Sequence, residues 1–272
     1  MVRITRRFYF SAAHRYRVDH WSDQRNQETF GPCVRTHGHN YVLEITVEGP
    51  VDPRTGMVMN LTDLKRIGNE VVSQFDHRHL NDDLPYFQNT LPTTENLARV
   101  IYHLVAPKLP KEVRLYRVRL YETEDLFADY YGEQENHRDL ALLGRRYRFS
   151  AAHRLHSPEL SEEENQRLFG KCHHPQGHGH DYLVYVGVYG PIDAQGRVAD
   201  LAEMDQAIQR VLAPLQCRWL DQEVPAFQHQ PATTENLALY LWHQLQPLRP
   251  PVVLLHIRET RNNFFEIGGK EL

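Results

Sequence analysis

At 272 residues, with 41% hydrophobic and 24% charged positions, the chain has the make-up of a water-soluble globular protein of one large domain or two ordinary ones. A net charge of −4 with both signs interspersed excludes a general affinity for nucleic acid or anionic membrane. No apolar run approaches the roughly 18 residues of a membrane span, the start MVRITRRFYFSAAHRY lacks the apolar segment of a signal peptide, and three cysteines at no disulfide-framework spacing point to reduced thiols in a cytoplasm.

In chain order, NYVLEITVEG alternates, with Tyr41, Leu43, Ile45 and Val47 on one face, and predicts a half-buried strand. LTDLKRIGNEVVSQF spaces Leu61, Leu64, Ile67, Val71 and Phe75 by threes and fours, an amphipathic helix. TTENLARVIYHLV opens on Thr93 as N-cap and lines Leu97, Ile101, Leu104 and Val105 along one side, a second helix. RLYRVRLYE (114–122) returns to strand.

The second half repeats this order. FYFSAAHRYRV (8–18) matches YRFSAAHRLHS (147–157), and FGPCVRTHGHNY (30–41) matches FGKCHHPQGHGHDY (169–182). PYFQNTLPTTENLA (85–98) matches PAFQHQPATTENLA (225–238), and RLYETED (119–125) matches HIRETRN (256–262). The offset stays between 137 and 141, too long for a solenoid repeat, so the chain is a duplicated domain. Residues 1–133 form one copy and 144–272 the other, with the boundary in the polar, glycine-led stretch 132–144. Each copy reads strand, strand, helix, helix, strand, an α+β unit of antiparallel sheet with two helices on one face. The bare face of that sheet has to be solvated or closed by another copy.

Histidine is the compositional oddity, with 17 in the chain. On a strand, residues i and i+2 share a side about 7 Å apart, so His37 and His39 project together, with Gly38 between them. His14, in SAAH, offers a third imidazole, and His153, His178 and His180 repeat the set. Three neutral imidazoles suit zinc best and leave a fourth position open, as catalytic rather than structural sites do. An isolated HxH is as well explained by a core hydrogen-bond network; the recurrence of all three in order is not. A cupin metal site shares the opening His37-Gly-His39 with Glu44. It fails because Gly49 is too close, Val184 and Tyr185 stand where the second glutamate would fall, and two long helices do not belong in a jelly roll.

Acid–base candidates surround the histidines. Cys33 and Cys172 each fall 19 residues after the first histidine of their copy, and a thiol near a cation becomes a base or nucleophile. Asp76-His77 closes the first helix, where a carboxylate can fix the imidazole's tautomer. Adjacent helical residues do not face one another, so the pair is expected to serve a partner elsewhere. The second copy has Gln216 and Cys217 there, and His79 reads as a surface residue. Glu95 and Glu235 sit in the shared TTENLA, Glu122 and Glu259 in the shared Glu-Thr dipeptide. A carboxylate of this kind matches two adjacent N–H donors of an aminopyrimidinone ring, although TTEN is also an ordinary helix start.

Together FSAAHR, C-x3-HGHNY, C-x5-HGHDY, FDHRHLND, PTTENLA and YET resemble the 6-pyruvoyl-tetrahydropterin synthase / 6-carboxytetrahydropterin synthase family, over nearly all of both halves. The resemblance implies two tandem T-fold domains that assemble into a barrel-forming homo-oligomer with sites at domain interfaces. It implies a carbon–oxygen lyase acting on a small-molecule pterin, 7,8-dihydroneopterin triphosphate. It implies zinc, up to two ions per chain, at His14, His37 and His39 and at His153, His178 and His180. Cys33, aided by Asp76, His77 and Glu122, would take a carbon-bound proton, with Cys172 and Glu259 as second-copy counterparts. Thr93 and Thr94 with Glu95 or Glu122, and the equivalents Thr233, Thr234 and Glu235, would hold the pterin. The first copy thus carries a complete set, and the second lacks the Asp-His pair. The spacing of Cys33 resembles the bacterial 6-carboxy enzymes of queuosine biosynthesis, whereas FGKCHHPQGHGHDY resembles the pyruvoyl enzymes of animals; the 6-carboxy product is the first expectation, because the first copy's set is complete, and the 6-pyruvoyl product the alternative. A non-catalytic pterin-binding protein and a pterin side-chain aldolase are the other readings. Arg15, Arg35 and Lys171 are candidates for the triphosphate.

Overall fold

The computed structural model describes residues 1–269. The chain divides into two compact units, Met1–Gly144 with Tyr189–Val198, and Arg145–Val188 with the residues from Ala199 on. The stretch 132–144, read from the sequence as a boundary, is strand on both sides of a turn at Asn136 and His137, both with positive φ.

In the first unit, β1 (Val2–His14) is followed by α1 (Asp23–Phe30), β2 (His37–Gly49), α2 (Leu61–Val72), the two-residue β3 (Arg78–His79) and the single turn α3 (Leu80–Asp83). Then come α4 (Thr94–Val105), β4 (Arg114–Thr123), β5 (Leu126–Glu135) and the start of β6 (Arg138–His153). The strand order is β3-β1-β2-β4-β5-β6. β1, β2, β4 and β5 pair antiparallel, and β3 adds a short parallel bridge at Ala12 and Ala13. The second unit repeats the plan with the rest of β6, α5 (Glu162–Phe169), β7 (His178–Pro191), α6 (Leu201–Leu212), β8 (Arg218–Trp219), α7 (Leu220–Glu223), α8 (Thr234–Leu245), β9 (Val252–Arg258) and β10 (Phe264–Gly268). The last three residues of β7 are counted with the first unit.

Alternation along the strands separates a core face from an open face. Phe8, Phe10 and Ala12 of β1, Tyr41, Leu43, Ile45 and Val47 of β2, and Val118 and Leu120 of β4 are all buried. Leu64, Ile67 and Val71 of α2, with Leu97, Ala98, Ile101 and Val105 of α4, close over them. Fully burying an aliphatic or phenyl side chain of this size contributes about 1.5–3 kcal/mol, so this layer carries most of the unit's stability. Both copies share a stacked pair at its centre: Phe10 on Tyr41 at 4.9 Å, Phe149 on Tyr182 at 5.0 Å.

Two positions on the predicted apolar stripes fall outside the core. Leu61, in the first turn of α2, is 49% exposed, and Leu104 of α4 is only half-buried. α1 and α5 have no counterpart in the sequence reading. α1 buries only Asn26 and carries no apolar stripe. It is held by the Ser22 cap and by Asn26, whose side chain exchanges hydrogen bonds with the backbone of Val18. In α5 a signal was present: Ser161 and Glu164 form a reciprocal capping box.

Gly68 marks the closest approach of α2 to the sheet, since a β-carbon there would lie 2.1 Å from Cζ of Phe8. Gly68→Ala is therefore expected to destabilise the protein by about 1–3 kcal/mol through overpacking, although alanine is the better helix former. Chemical denaturation decides this, and a more stable variant would show that the Phe8 ring moves aside at little cost.

Candidate metal and active site

The antiparallel register sets His14, the last residue of β1, directly opposite His37, the first of β2, with Ala12 opposite His39. All three rings project to the core face. Their centroids lie 4.5 Å (His14–His37), 5.1 Å (His14–His39) and 5.1 Å (His37–His39) apart. One ligand atom from each can be chosen so that all three lie within 4.8 Å of one another. Gly38 is sterically required, because a β-carbon there would stand 2.9 Å from the carbonyl oxygen of Ala12.

Backbone carbonyls fix the tautomers. Nδ1 of His14 lies 3.2 Å from the carbonyl of Pro92, and Nδ1 of His37 lies 2.8 Å from that of Arg35. A carbonyl only accepts, so Nδ1 carries the proton in both rings and Nε2 presents its lone pair. Nε2 of His14 and Nε2 of His39 are buried without a hydrogen-bond partner. Burial, with the neighbouring imidazoles of His37 and His39, pushes His14 down to about 4 against the opposing pull of Glu122. Burial also lowers His39. Two orphaned, neutral, convergent nitrogens fit a divalent cation.

The second unit repeats the cluster. The rings of His153, His178 and His180 are 4.5, 5.2 and 5.0 Å apart, and Nδ1 of His153 lies 2.7 Å from the carbonyl of Ala232. Nε2 of His153 and Nε2 of His178 are 3.1 Å apart. Two ligands on one tetrahedral zinc are separated by about 3.3 Å. The clusters differ in one support: Nδ1 of His178 is buried without a partner, where His37 has the Arg35 carbonyl.

Glu122 stands beside the first cluster on the core face of β4. One oxygen lies 3.4 Å from Nε2 of His39; the other accepts from Tyr16 Oη at 3.0 Å and Thr94 Oγ1 at 2.7 Å. Glu259 occupies the same place in the second unit, 3.8 Å from His180, with Thr234 Oγ1 donating at 2.5 Å. Burial works against its ionised form, but the bonds from Thr234 and Asn263 hold it below the usual carboxylate range. Tyr16 escaped the sequence reading because its counterpart is Leu155 and no repeat marks it.

Thr93 caps α4, accepting from the N–H of Asn96 at 3.2 Å, and its hydroxyl donates to the carbonyl of Gly196. Glu95 is buried and accepts from the N–H of Val198 at 2.9 Å. Burial pushes its carboxyl up to about 7. Residues Tyr189–Val198 thus cover the start of α4 in the first unit. In the second unit Thr233 caps α8, accepting from Asn236 at 3.3 Å, but Glu235 is exposed.

Cys33 lies on the turn Gly31–Val34 and Cys172 on the turn Gly170–His173, each leading into the strand that carries its histidine pair. Their carbonyls accept from Tyr16 and Leu155 respectively, which ties each turn to the chain just after His14 or His153. Both thiols are half-buried and free of disulfides.

Asp76 and His77 do touch, contrary to the helical expectation. α2 ends at Val72 and His77 has φ of 58°, which brings Nδ1 of His77 to 3.0 Å from Asp76. The N–H of Ser11 holds the Asp76 carboxylate below its ordinary range. The His77 side chain is 82% exposed and borders an open concavity shared with Ser11, Gly38 and Asn40. Ser11, Gly38 and Asn40 alternate with Ala12, His37 and His39, so this is the sheet face turned away from the imidazole cluster. Cys217 copies the backbone of His77, with φ of 56°, and Gln216 bonds the N–H of Ser150 as Asp76 bonds that of Ser11.

His79 is half-buried rather than free on the surface, with Nδ1 3.1 Å from Asp82. Asp82 also takes the guanidinium of Arg15 at 2.7 and 2.8 Å. Arg15 borders a cleft of about 550 Å³ with Arg17, His20, Asn81, Asn89 and Thr90. Glu44 pairs with Arg7 at 2.6 Å on the face away from the histidines, which removes the cupin arrangement.

The family model for 6-pyruvoyl tetrahydropterin synthase matches residues 3–133 and again 143–270. A Drosophila melanogaster 6-pyruvoyl tetrahydrobiopterin synthase is 46% identical over 132 residues, 47% of this chain and 79% of its own length. An Archaeoglobus fulgidus relative, provisionally described as a 6-carboxy-5,6,7,8-tetrahydropterin synthase, is 41% identical over 97 residues, 36% of this chain and 76% of its own. The solved Caenorhabditis elegans 6-pyruvoyl tetrahydropterin synthase aligns at 37% identity over 49% of this chain and 98% of its own, with a TM-score of 0.47. With both halves matched in full, the chain belongs to the 6-pyruvoyl tetrahydropterin synthase family of lyases and carries two copies of its T-fold in tandem.

Proposed function

We propose that the chain converts 7,8-dihydroneopterin triphosphate to a 6-substituted tetrahydropterin with loss of triphosphate, and that the product is 6-pyruvoyl-tetrahydropterin. The observation that carries this reading is the twice-built set of three imidazoles with a buried glutamate alongside, His14, His37, His39 and Glu122 in one unit, His153, His178, His180 and Glu259 in the other. The complete set in the first copy and the spacing of Cys33 speak for the 6-carboxy product. The names of the relatives favour the pyruvoyl product, with 46% identity over 132 residues against 41% over 97 for the archaeal 6-carboxy relative.

The six histidines would hold zinc, one ion per cluster, and bound zinc supplies a Lewis acid that grips the substrate's hydroxyls and stabilises developing negative charge. A cysteine thiolate, Cys33 or Cys172, takes the carbon-bound proton, as a base held close to a cation can. Glu122 or Glu259 keeps the neighbouring imidazole oriented. Glu95 with Thr93 and Thr94, and Glu235 with Thr233 and Thr234, receive the pterin's N–H groups. Of the candidates Arg15, Arg35 and Lys171, Arg15 lines a cleft large enough for triphosphate, which would have to compete with Asp82 for its guanidinium. Three free thiols suit a cytoplasmic enzyme.

The active assembly in this reading is a homo-oligomer. Glu95 is covered by residues 189–198, while Glu235 is exposed; the equivalent of 189–198 for the second unit is the segment around Asp52–Gly56 of another copy. Asp76 and His77, on the face away from their own cluster, then serve a cysteine of a different copy. Cys172 is the one that lacks an Asp-His pair in its own repeat.

Zinc-loaded protein incubated with the triphosphate is expected to release triphosphate and yield a species with the mass of 6-pyruvoyl-tetrahydropterin. A 6-carboxy mass would reassign the product, and intact substrate would sink the catalytic reading. Cys172→Ala is expected to lower kcat by about 10³-fold while Cys33→Ala keeps most of it, the range a general base commands. The reverse ranking would place Asp76 and His77 with their own copy. Glu95→Gln should lose pterin affinity yet stabilise the metal-stripped fold. A carboxyl raised from 4.5 to about 7 favours the native state below pH 4.5, and that contribution is lost as pH rises to 7. The variant's advantage should open across that window and level off near about 3 kcal/mol, and equal urea midpoints at pH 8 would disprove it.

A further inference from the structure

The geometry points to a third metal site, outside both imidazole clusters, formed by His156, Glu162 and His173 in the second unit and suited to zinc. The ligand atoms of the three can be chosen within 4.8 Å of one another. His156 follows β6, Glu162 is the first residue of α5, and His173 ends the turn that carries Cys172.

The hydrogen bonds of His173 leave a place for a cation. The ring is buried, 1% exposed, and its Nδ1 lies 2.9 Å from the carbonyl of Leu155, so Nδ1 carries the proton. Neutral His173 then turns the lone pair of Nε2 toward an oxygen of Glu162 only 2.8 Å away, two acceptors face to face. A proton on Nε2 would satisfy Glu162 but oppose the guanidinium of Arg154, whose Nη2 is 2.7 Å from the same nitrogen. With the ring neutral, Nη2 of Arg154, also 3.4 Å from Glu162, is the donor between the two acceptors and does not relieve their 2.8 Å approach. A divalent cation between Nε2 and the carboxylate does so, with Nη2 of Arg154 swinging away while its Nε stays bonded to the His173 carbonyl at 2.9 Å. His156 supplies the third ligand: its ring lies nearly parallel to that of His173, 5.3 Å away at 19°, and its Nδ1 is buried without a partner. Two imidazoles and one carboxylate are a zinc donor set that leaves a fourth position for water.

The first copy is an internal control. Arg17, Asp23 and Val34 stand where His156, Glu162 and His173 stand in the second, and Arg17 and Asp23 form an ordinary exposed ion pair at 2.6 Å. The carboxylate position is shared, and both imidazoles are specific to the second copy.

The test is metal content of the full chain, stripped by chelator and dialysed against zinc at concentrations stoichiometric with its sites. His156→Phe combined with Glu162→Gln is expected to hold about one equivalent of zinc fewer than the unmodified chain. Equal zinc contents would overturn the site. In a second arm, His37, His39, His178 and His180 are all replaced by alanine. That chain, folded by circular dichroism, is expected to keep about one equivalent and to lose it when His156→Phe and Glu162→Gln are added. A folded chain of this kind without zinc, or with zinc indifferent to the added substitutions, overturns the proposal. Should the four-alanine chain not fold, the first arm decides alone.

Discussion

The site depends on one register: His14 opposite His37 across an antiparallel pair. Alternation along β2 then forces His39 to the same face, and the proline and arginine carbonyls fix which nitrogen of His14 and of His37 is free. A slip of one residue would carry the whole set to the opposite face and leave Tyr41, Leu43 and Ile45 in water. The hydrophobic strand pattern and the metal site are therefore one constraint. Thirteen consecutive β1–β2 pairs, from Val2–Gly49 to His14–His37, keep that register in place.

The same constraint explains what could be read from residues alone. Duplication acted as a filter, since a histidine occurring at equivalent positions twice had little room to be incidental. The α+β plan followed from Tyr41, Leu43, Ile45 and Val47 and from the stripes of α2 and α4. α1 stayed hidden because it is fixed by the side chain of Asn26 rather than by apolar burial, and periodicity does not register an asparagine. The face occupied by Asp76 and His77 stayed hidden for another reason. It turns on a left-handed φ at a non-glycine residue, which no residue type in FDHRHLND announces. The covering of Glu95 by residues 189–198 depends on segments 103 positions apart in the chain.

Between the copies, backbone is kept more strictly than chemistry. Cys217 adopts the same φ as His77 within two degrees, and both residues donate their N–H to the carbonyl of the equivalent serine, Ser150 or Ser11. The strand-edge geometry has thus been preserved after the Asp-His pair was replaced by Gln-Cys. Both triple-histidine clusters and both glutamates beside them were kept as well. What differs is the surrounding support: the carbonyl behind His37 against none behind His178, Tyr16 against Leu155, Glu95 buried against Glu235 exposed.

That pattern argues for specialisation between two sites rather than decay of one. A copy retained only as scaffold has no reason to gather one buried and two half-buried imidazoles, where desolvation lowers His178 and His180 and a buried unpaired polar atom costs about 1–3 kcal/mol. Burying such a set is tolerable when an ion or a substrate settles the account, and the second unit buries it as the first does. The Asp-His pair, by contrast, sits on an exposed edge where its loss costs the fold little. Duplication within one chain has left two histidine clusters with different surroundings. The Asp-His pair has been replaced in one copy while the three-histidine cluster, with its glutamate alongside, persists in both.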